Sequence, residues 1–145
     1  MNVTKLVVHH SDSKAATTKK SNIESWHKQR GFTQIGYHKV VEGDGKIVDG
    51  RPESSQGAHA KGANLETLGV CVVGEFETEM PSQKQIDSLV KVLTDWCKKY
   101  KLNSTSIYGH YNVPGGTTDT SCPGKNMKLK LSVVKQKVTQ NLKKG

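Results

Sequence analysis

An almost continuously apolar run from Leu68 to Val73 ends in Gly74 and indicates where the centre of the fold lies. A strand with one face in solvent alternates apolar and polar residues, but this run does not. Such a strand is expected to be covered on both faces by other parts of the chain. The run is therefore predicted to be the central strand of a sheet.

Three helices are predicted around this strand. The clearest begins at Pro81, and its apolar residues recur at intervals of three and four, the spacing of one helix face. These residues are Ile86, Leu89, Val90, Leu93, Trp96, Cys97 and Tyr100. Ser21 and Glu24 have the spacing of a capping box and predict a helix that ends at Gly31. Residues 126–145 combine an apolar stripe with many lysines and predict a basic C-terminal helix.

Shorter segments predict the remaining strands. Residues 6–8 and 106–108 are short strands that lead into histidines, and residues 37–49 form a hairpin. The pair Asp44-Gly45 inside this hairpin is typical of a tight turn with positive φ angles. This alternation predicts an α/β (α+β) fold, with helices packed on a mixed sheet of four or five strands. A chain of 145 residues is expected to form one domain.

Charge and cysteine content narrow the class of protein. The chain has 22 Lys and Arg against 13 Asp and Glu, a net charge of +9. Its expected partner is therefore polyanionic: nucleic acid, anionic lipid or anionic cell-wall polymer. The three cysteines do not form the disulfide framework of a small secreted domain. No segment has the length of a membrane span, and the N-terminal apolar stretch is too short for a secretory signal, so synthesis in the cytoplasm is expected.

A candidate metal site combines two distant parts of the chain. His110 and Cys122 lie twelve positions apart around a predicted loop, and imidazole and thiolate are zinc ligands. His9, at the exit of the first predicted strand, offers a third ligand. Three protein ligands would leave one tetrahedral position for water, as in catalytic zinc sites. This spacing does not identify zinc by itself, so the neighbouring motifs matter.

Seven short motifs occur in an order that resembles a known family. They are Val8-His9-His10-Ser11, Trp26-His27-Lys28, Gly36-Tyr37-His38, Gly57-Ala58-His59, Leu68-Gly69-Val70, Gly109-His110 and Thr120-Ser121-Cys122-Pro123-Gly124. Together they resemble the zinc-dependent N-acetylmuramoyl-L-alanine amidases, and most of all the phage lysozyme-like branch, which shares its fold with the peptidoglycan recognition proteins. The resemblance runs from about Val3 to Gly124. We therefore expect one amidase domain over residues 1–145, in which the basic C-terminal helix 126–145 is predicted from its own apolar stripe and lysines.

The resemblance also implies roles for individual residues. His9, His110 and Cys122 would hold Zn²⁺, while Tyr37 and Thr120 would assist the chemistry. Tyr37 can donate its phenolic hydrogen to the oxyanion that develops during attack on the amide. Thr120 stands where the phage enzymes typically carry lysine. A threonine can donate a hydrogen bond but brings no charge to the oxyanion.

Further residues are expected around the substrate groove. His59, in a glycine-rich loop, is expected to contact the glycopeptide, and Lys61 to meet a substrate carboxylate. His10 follows a ligand on an extended strand, so its side chain is expected to face the other way and to pack or support the site. The loop that carries Cys122 is longer than usual in the family because of residues 114–118.

Several functions are compatible with these features. The first is hydrolysis of the amide between N-acetylmuramic acid and L-alanine in peptidoglycan, by a phage-type endolysin that is made in the cytoplasm and acts on the wall after release across the inner membrane. A bacterial wall-recycling amidase is a variant of the same chemistry. The second is a peptidoglycan-binding module without turnover, although such a module has no need of the Cys122 thiol. A nucleic-acid binder ranks last, because the chain has few aromatic side chains for stacking on bases.

Two further binding partners are candidates, an envelope surface and a regulatory protein. The basic helix 126–145 is a candidate for contact with an anionic envelope surface. The resemblance to the phage branch also leaves open a regulatory protein partner.

Overall fold

Five strands form one mixed sheet in the computed structural model, which describes residues 1–117 and 119–144. The strands are β1 (Lys5–His10), β2 (Lys39–Val41), β3 (Ile47–Asp49), β4 (Thr67–Val72) and β5 (Ile107–Gly109). The helices are α1 (Lys20–Gln29), α2 (Gln83–Tyr100) and α3 (Lys125–Lys144), with short 3-10 turns at Ser104–Ser106 and His110–Asn112. Thr118, in the long loop noted above, and Gly145 lie outside the described residues.

The sheet has the strand order β3-β2-β4-β1-β5. Strand β1 runs parallel to both β4 and β5, β2 runs parallel to β4, and β3 pairs antiparallel with β2. Every residue of β4 is buried, and the strand lies in the middle of the sheet. The predicted central strand and the predicted α/β architecture with a mixed sheet are therefore confirmed. Because four strands are parallel, their carboxyl ends meet at one edge, where binding sites of open α/β sheets form.

Side chains of β1 alternate between the two faces of the sheet. Leu6 and Val8 belong to the main core, which lies between the sheet and helices α2 and α3. Val7 belongs to a smaller cluster on the opposite face, with Ala60 and Val113. Since side chains alternate along a strand, His9 faces the same side as Val7, and its neighbour His10 faces the helices. This alternation separates the two histidines.

The start of α2 is tied to the end of β4. The Ser82 hydroxyl accepts a hydrogen bond from the Gln85 N–H (3.1 Å), and the Gln85 side chain accepts one from the Ser82 N–H (3.1 Å). This is a capping box, which satisfies amides that a helix leaves unpaired. The buried Gln85 amide also donates to the Val73 carbonyl (2.8 Å), just beyond β4. The predicted apolar stripe of α2 is buried from Ile86 to Cys97, as its spacing predicts.

The predicted start of helix α1 is wrong in detail. Helix α1 begins at Lys20 rather than after Ser21, and the Asn22 side chain accepts the Lys19 N–H (2.8 Å). Glu24 instead forms an ion pair with Lys20 (3.1 Å), so the Ser-x-x-Glu pattern does not cap this helix. Gly31, at φ +95°, follows the C-cap as predicted.

The hairpin of β2 and β3 turns through three residues, Gly43 to Gly45. The Gly45 N–H donates to the Glu42 carbonyl (2.9 Å), and the Glu42 N–H donates to the Lys46 carbonyl (2.8 Å). Gly45 has φ +90°, whereas Asp44 is not among the residues with positive φ. The loop is thus the three-residue type that ends in a left-handed glycine, and the positive φ predicted for the Asp44-Gly45 pair is found at Gly45 alone. No helix of the described residues combines the length and the apolar character that crossing a membrane requires.

Candidate functional site

A cavity of about 390 Å³ opens at the carboxyl edge of the parallel strands. It lies between the glycine-rich loop after β3, the end of α1 and the loop after β5. Its lining is rich in imidazoles and contains no carboxylate side chain among the described residues. The lining residues are His9, His27, Arg30, Phe32, Tyr37, Ala58, His59, Ala60, Lys61, Gly62, Asn64, His110, Thr117 and Cys122.

Three of these residues meet in one cluster. His9, His110 and Cys122 each offer one ligand atom, and these atoms lie within 4.8 Å of one another. The His9 and His110 ring centroids are 4.6 Å apart, and His9 Nδ1 lies 3.7 Å from Cys122 Sγ. The structure therefore brings together the three residues that were predicted from the sequence motifs as candidate metal ligands.

The cluster suits a metal ion. Two imidazoles and a thiol are a donor set typical of zinc, and tetrahedral bonds of the usual lengths put nitrogen and sulfur ligands about 3.5 Å apart. The distance from His9 Nδ1 to Cys122 Sγ is already close to that value at 3.7 Å. His110 Nε2 is buried and has no hydrogen-bond partner among the described residues. A buried nitrogen without a partner is costly, and a metal ion would satisfy it.

Burial sets the protonation of the cluster. It lowers the pKa of His9 well below the usual value, and the nearby imidazoles of His59 and His110 lower it further. Burial also lowers the pKa of His110, against the opposing carboxylate of Asp119. Both imidazoles are therefore neutral at pH 7 and able to act as ligands. Burial raises the pKa of the Cys122 thiol to about 12, so a cation must displace its proton before the sulfur binds as thiolate.

Tyr37 lies on the wall of the cavity next to this cluster. Its ring centroid is 5.0 Å from that of His9 and 5.4 Å from that of His27. Burial raises the pKa of Tyr37 well above its usual value, and the thiols of Cys71 and Cys122 raise it further. The phenol consequently keeps its proton at neutral pH and can only be a neutral hydrogen-bond donor there.

Thr120 has a different position. Its hydroxyl oxygen accepts a hydrogen bond from the Cys122 N–H (3.2 Å), which supports the loop that carries the thiol. Among the described residues of this loop, Thr117 lines the cavity and Thr120 does not. Because the Thr120 oxygen is the acceptor in this contact, its own hydrogen remains available for donation.

His59 and Lys61 both line the cavity, but in different ways. Lys61 is exposed at the rim. His59 is only 8% exposed, and both of its ring nitrogens contact protein groups. Nδ1 lies 2.9 Å from His9 Nε2, and Nε2 lies 3.2 Å from the Thr67 hydroxyl. Burial lowers the pKa of His59 to about 3, so this ring is neutral.

The remaining histidines support the walls. His10 faces the helix side, where its ring Nδ1 accepts the Phe76 backbone N–H (3.1 Å). The backbone N–H of His10 donates to Cys122 Sγ (3.3 Å). His27 Nδ1 accepts the Gly36 N–H (2.9 Å) from the end of α1. His38 faces away from the cavity and contacts the Ser55 carbonyl (2.9 Å).

Arg30, Phe32, Asn64 and Thr117 also line the cavity, although the sequence did not predict them as site residues. Arg30 and Phe32 flank the glycine that follows α1, and the guanidinium lies 5.3 Å from the phenyl centroid. Asn64 accepts the backbone N–H groups of His59 (2.9 Å) and Ala60 (2.8 Å), and so fixes the glycine-rich loop. An asparagine between a Gly-Ala-rich loop and a buried strand is the only local signal for this role.

Comparison with known proteins bears on what this cavity does. Residues 1–125 match the family described as N-acetylmuramoyl-L-alanine amidase. The chain is 33% identical over 128 residues to peptidoglycan-recognition protein 2 of Holotrichia diomphalia, a match that covers 82% of this chain and 66% of that protein. It is also 33% identical over 113 residues to the endolysin of Enterobacteria phage T3, covering 73% of this chain and 70% of the endolysin.

Solved structures give the same result. The N-acetylmuramoyl-L-alanine amidase LysC from Clostridium intestinale superposes with a TM-score of 0.79 at 32% identity, covering 92% of this chain and 86% of that one. The chain thus spans about two thirds of the curated relatives and most of this solved amidase.

Proposed function

This chain belongs to the N-acetylmuramoyl-L-alanine amidase family, and from that membership we propose that His9, His110 and Cys122 hold a zinc ion at its active site. The family activity is hydrolysis of the amide between N-acetylmuramic acid and L-alanine in peptidoglycan, and the chain is such an amidase. One observation carries the zinc proposal: three ligand atoms converge within 4.8 Å, and His110 Nε2 has no partner among the described residues.

Zinc, when bound, supplies the Lewis acidity that acidifies water and polarises the scissile carbonyl. The chain's own residues supply the rest. Tyr37 keeps its proton and borders the same cavity as His9, so it can donate a hydrogen bond to the oxygen that becomes negative as the amide is attacked. Such a donor acts mainly in the transition state, where the charge is largest.

Thr120 is proposed to act with Tyr37 or through Cys122. Its oxygen already accepts the Cys122 N–H, which leaves the hydroxyl hydrogen for a second contact. A matched pair separates the contributions: Thr120→Ser keeps the hydroxyl, and Thr120→Val keeps the shape. Reduced kcat in the valine variant alone supports a role for the hydroxyl, as donor or as acceptor of the Cys122 N–H, whereas kcat equal to that of the wild type in both variants removes Thr120 from the chemistry.

Substrate binding is proposed to involve Lys61 and the outer edge of His59. The exposed ammonium of Lys61 stands at the rim of a cavity whose described lining has no carboxylate side chain, so a stem-peptide carboxylate has a cationic partner there. Removing a contact that is equal in ground and transition states raises KM and leaves kcat unchanged. Lys61→Gln is expected to behave in this way. A fall in kcat at unchanged KM would contradict this role.

The direct test is incubation of the purified protein with murein, with and without a chelator. We expect newly freed L-alanine amino termini in the untreated sample, loss of the signal with chelator and recovery when zinc is returned. Cys122→Ser, at matched protein concentration, is the control. Release of amino termini that chelator and Cys122→Ser leave unchanged would overturn the zinc proposal.

The biological role is proposed to be that of a phage-type endolysin, made in the cytoplasm and acting on the wall after release. The likeness to the endolysin of phage T3 supports it. A wall-recycling amidase is the alternative, and the two differ in substrate size. An endolysin should cleave intact, insoluble sacculi at a rate comparable with soluble wall fragments. Cleavage confined to soluble fragments would favour recycling.

A recognition module without turnover is the second candidate, because a peptidoglycan-recognition protein is among the relatives. The cysteine in the cluster argues for turnover, since binding of a glycopeptide requires no thiol. Binding of murein without release of amino termini, in protein loaded with zinc, is the result that would favour this candidate.

Helix α3 is proposed to contact an anionic envelope surface. It carries seven lysines and no acidic residue, while Met127, Leu131, Val134 and Val138 are buried in the core. Because these residues complete the core, truncation after Met127 would unfold the protein. Replacing the exposed Lys143 and Lys144 with glutamine removes charge and leaves the buried stripe intact. Weaker binding to anionic vesicles, at unchanged cleavage of soluble fragments, is expected; equal binding would exclude these two lysines.

A further inference from the structure

We propose that His59 is a positioning residue: it holds His9 in the tautomer that leaves Nδ1 free to bind a metal ion. The proposal rests on the zinc site proposed above. It is carried by a chain of hydrogen bonds that runs from a backbone carbonyl through Thr67 and His59 to His9, on the inner side of the cavity.

The backbone end of this chain fixes its direction. The Ala63 carbonyl can only accept a hydrogen bond, and the Thr67 oxygen lies 2.6 Å from it. The single hydroxyl hydrogen of Thr67 is therefore donated to Ala63, and its oxygen is left to act as acceptor. His59 Nε2 lies 3.2 Å from that oxygen and must carry the hydrogen in this contact.

The position of the hydrogen on His59 then determines which nitrogen of His9 carries a hydrogen. A neutral imidazole has one N–H, so a hydrogen on His59 Nε2 leaves His59 Nδ1 as an acceptor. His9 Nε2, at 2.9 Å, donates to it. The His9 hydrogen is thus held on Nε2, and Nδ1 keeps its lone pair. Nδ1 is the atom that lies 3.7 Å from Cys122 Sγ.

The fold reserves a rigid space for the His59 ring. A Cβ at Gly69 would lie 2.6 Å from Cγ and Nδ1 of this ring, and a Cβ at Gly57 would lie 2.6 Å from its Cδ2. Only glycine fits at these two positions while the ring stays in place. Asn64 accepts the His59 backbone N–H (2.9 Å) and holds the loop from the other side.

Reversing the direction of these hydrogen bonds has a defined chemical consequence. If His59 carried its hydrogen on Nδ1, it would donate to His9 Nε2, and the hydrogen of His9 would move to Nδ1. A protonated Nδ1 cannot bind a metal ion. Partners that orient a ligand histidine in this way typically change metal affinity about 10–100-fold when removed.

Two substitutions of His59 are expected to rank one way in zinc affinity and the other way in stability. His59→Leu fills much of the apolar space but offers no acceptor, whereas His59→Asn is smaller and places an oxygen near the former Nδ1. We expect His59→Leu to weaken zinc binding about 10–100-fold, and His59→Asn to recover most of the affinity, measured by competition with a chromophoric chelator. Urea unfolding of the metal-free proteins should rank leucine at least as stable as asparagine.

Controls separate positioning from packing. His38→Leu removes a neighbouring buried imidazole, which contacts Ser55 and Gly69 instead of His9, and should leave zinc affinity unchanged. Thr67→Val should weaken zinc binding, and Thr67→Ser should not. In ¹⁵N NMR spectra of the metal-free wild type, His9 and His59 should both be Nε2–H tautomers.

The results distinguish this inference from the zinc proposal on which it rests. Wild type that binds no zinc removes the zinc proposal. Wild type that binds zinc, together with His59→Leu binding as tightly, overturns the positioning role alone. So does His59→Asn binding no better than His59→Leu, or an Nδ1–H tautomer of His59.

Discussion

Replacing Gly69 with alanine tests the placement of the His59 ring through stability alone. The new methyl carbon would lie 2.6 Å from two atoms of that ring and 2.9 Å from a third. Carbon atoms in contact normally lie about 3.5–4.0 Å apart, so one side must retreat by about 1 Å. Strand β4 cannot retreat easily, because Gly69 pairs with Val7 on one side and its N–H donates to His38 on the other (3.1 Å).

The ring must therefore move, and the expected cost can be added up. Forcing a methyl group into a filled core costs about 1–3 kcal/mol. A shift of about 1 Å takes the 2.9 Å contact from His59 to His9 beyond hydrogen-bonding range, at a further cost of about 1 kcal/mol. Alanine is favoured over glycine inside a strand by about 0.5–1 kcal/mol, which offsets part of this. The net loss of stability is expected to be about 1–3.5 kcal/mol, with a central value of about 2 kcal/mol.

Urea unfolding of metal-free protein is the appropriate assay, because bound zinc would add its own stabilisation. The control is Gly31→Ala, where an added Cβ meets no atom within 4 Å and only the φ of +95° opposes the substitution. That control should cost about 1 kcal/mol. A Gly69→Ala variant no less stable than the control would refute the close contact between Gly69 and His59.

Three other substitutions test the cluster, the cavity wall and the start of α2. Cys122→Ser should abolish hydrolysis and weaken zinc binding while circular dichroism stays unchanged; full activity in a zinc-loaded variant would contradict the assignment of Cys122. Tyr37→Phe should keep its zinc content and lose about 10²–10³-fold in kcat, as when one oxyanion donor is removed; loss of zinc would instead make it a structural support of the cluster. Ser82→Ala removes the acceptor of the Gln85 N–H and should cost about 1 kcal/mol in urea unfolding, and an unchanged midpoint would argue against the cap.

Sequence patterns predicted the elements whose signals are local and repeated. The apolar run of β4 and the stripe of α2 each involve six or more residues that must be buried together, so no single contact decides the outcome. Short signals were less reliable. Ser21 and Glu24 do not cap the helix, because it begins two residues earlier than their spacing predicts and Asn22 takes the capping contact with Lys19.

The proximity of His9, His110 and Cys122 could be predicted from motif order, but the contact between His59 and His9 could not. These residues lie fifty positions apart, and their contact depends on how a loop without helix or strand is held over the sheet. The hydrogen bonds of Asn64 and the missing side chain of Gly69 determine that path. Neither leaves a periodic pattern in the sequence.

X-ray absorption at the zinc edge is the most direct measurement of the central claim, that two imidazoles and one thiolate share a metal ion. We predict one sulfur neighbour at about 2.3 Å, with the remaining neighbours nitrogen or oxygen at about 2.0–2.1 Å. The sulfur signal should vanish in Cys122→Ser. A zinc spectrum of the wild type without sulfur, or one with two or more sulfur neighbours, would contradict it.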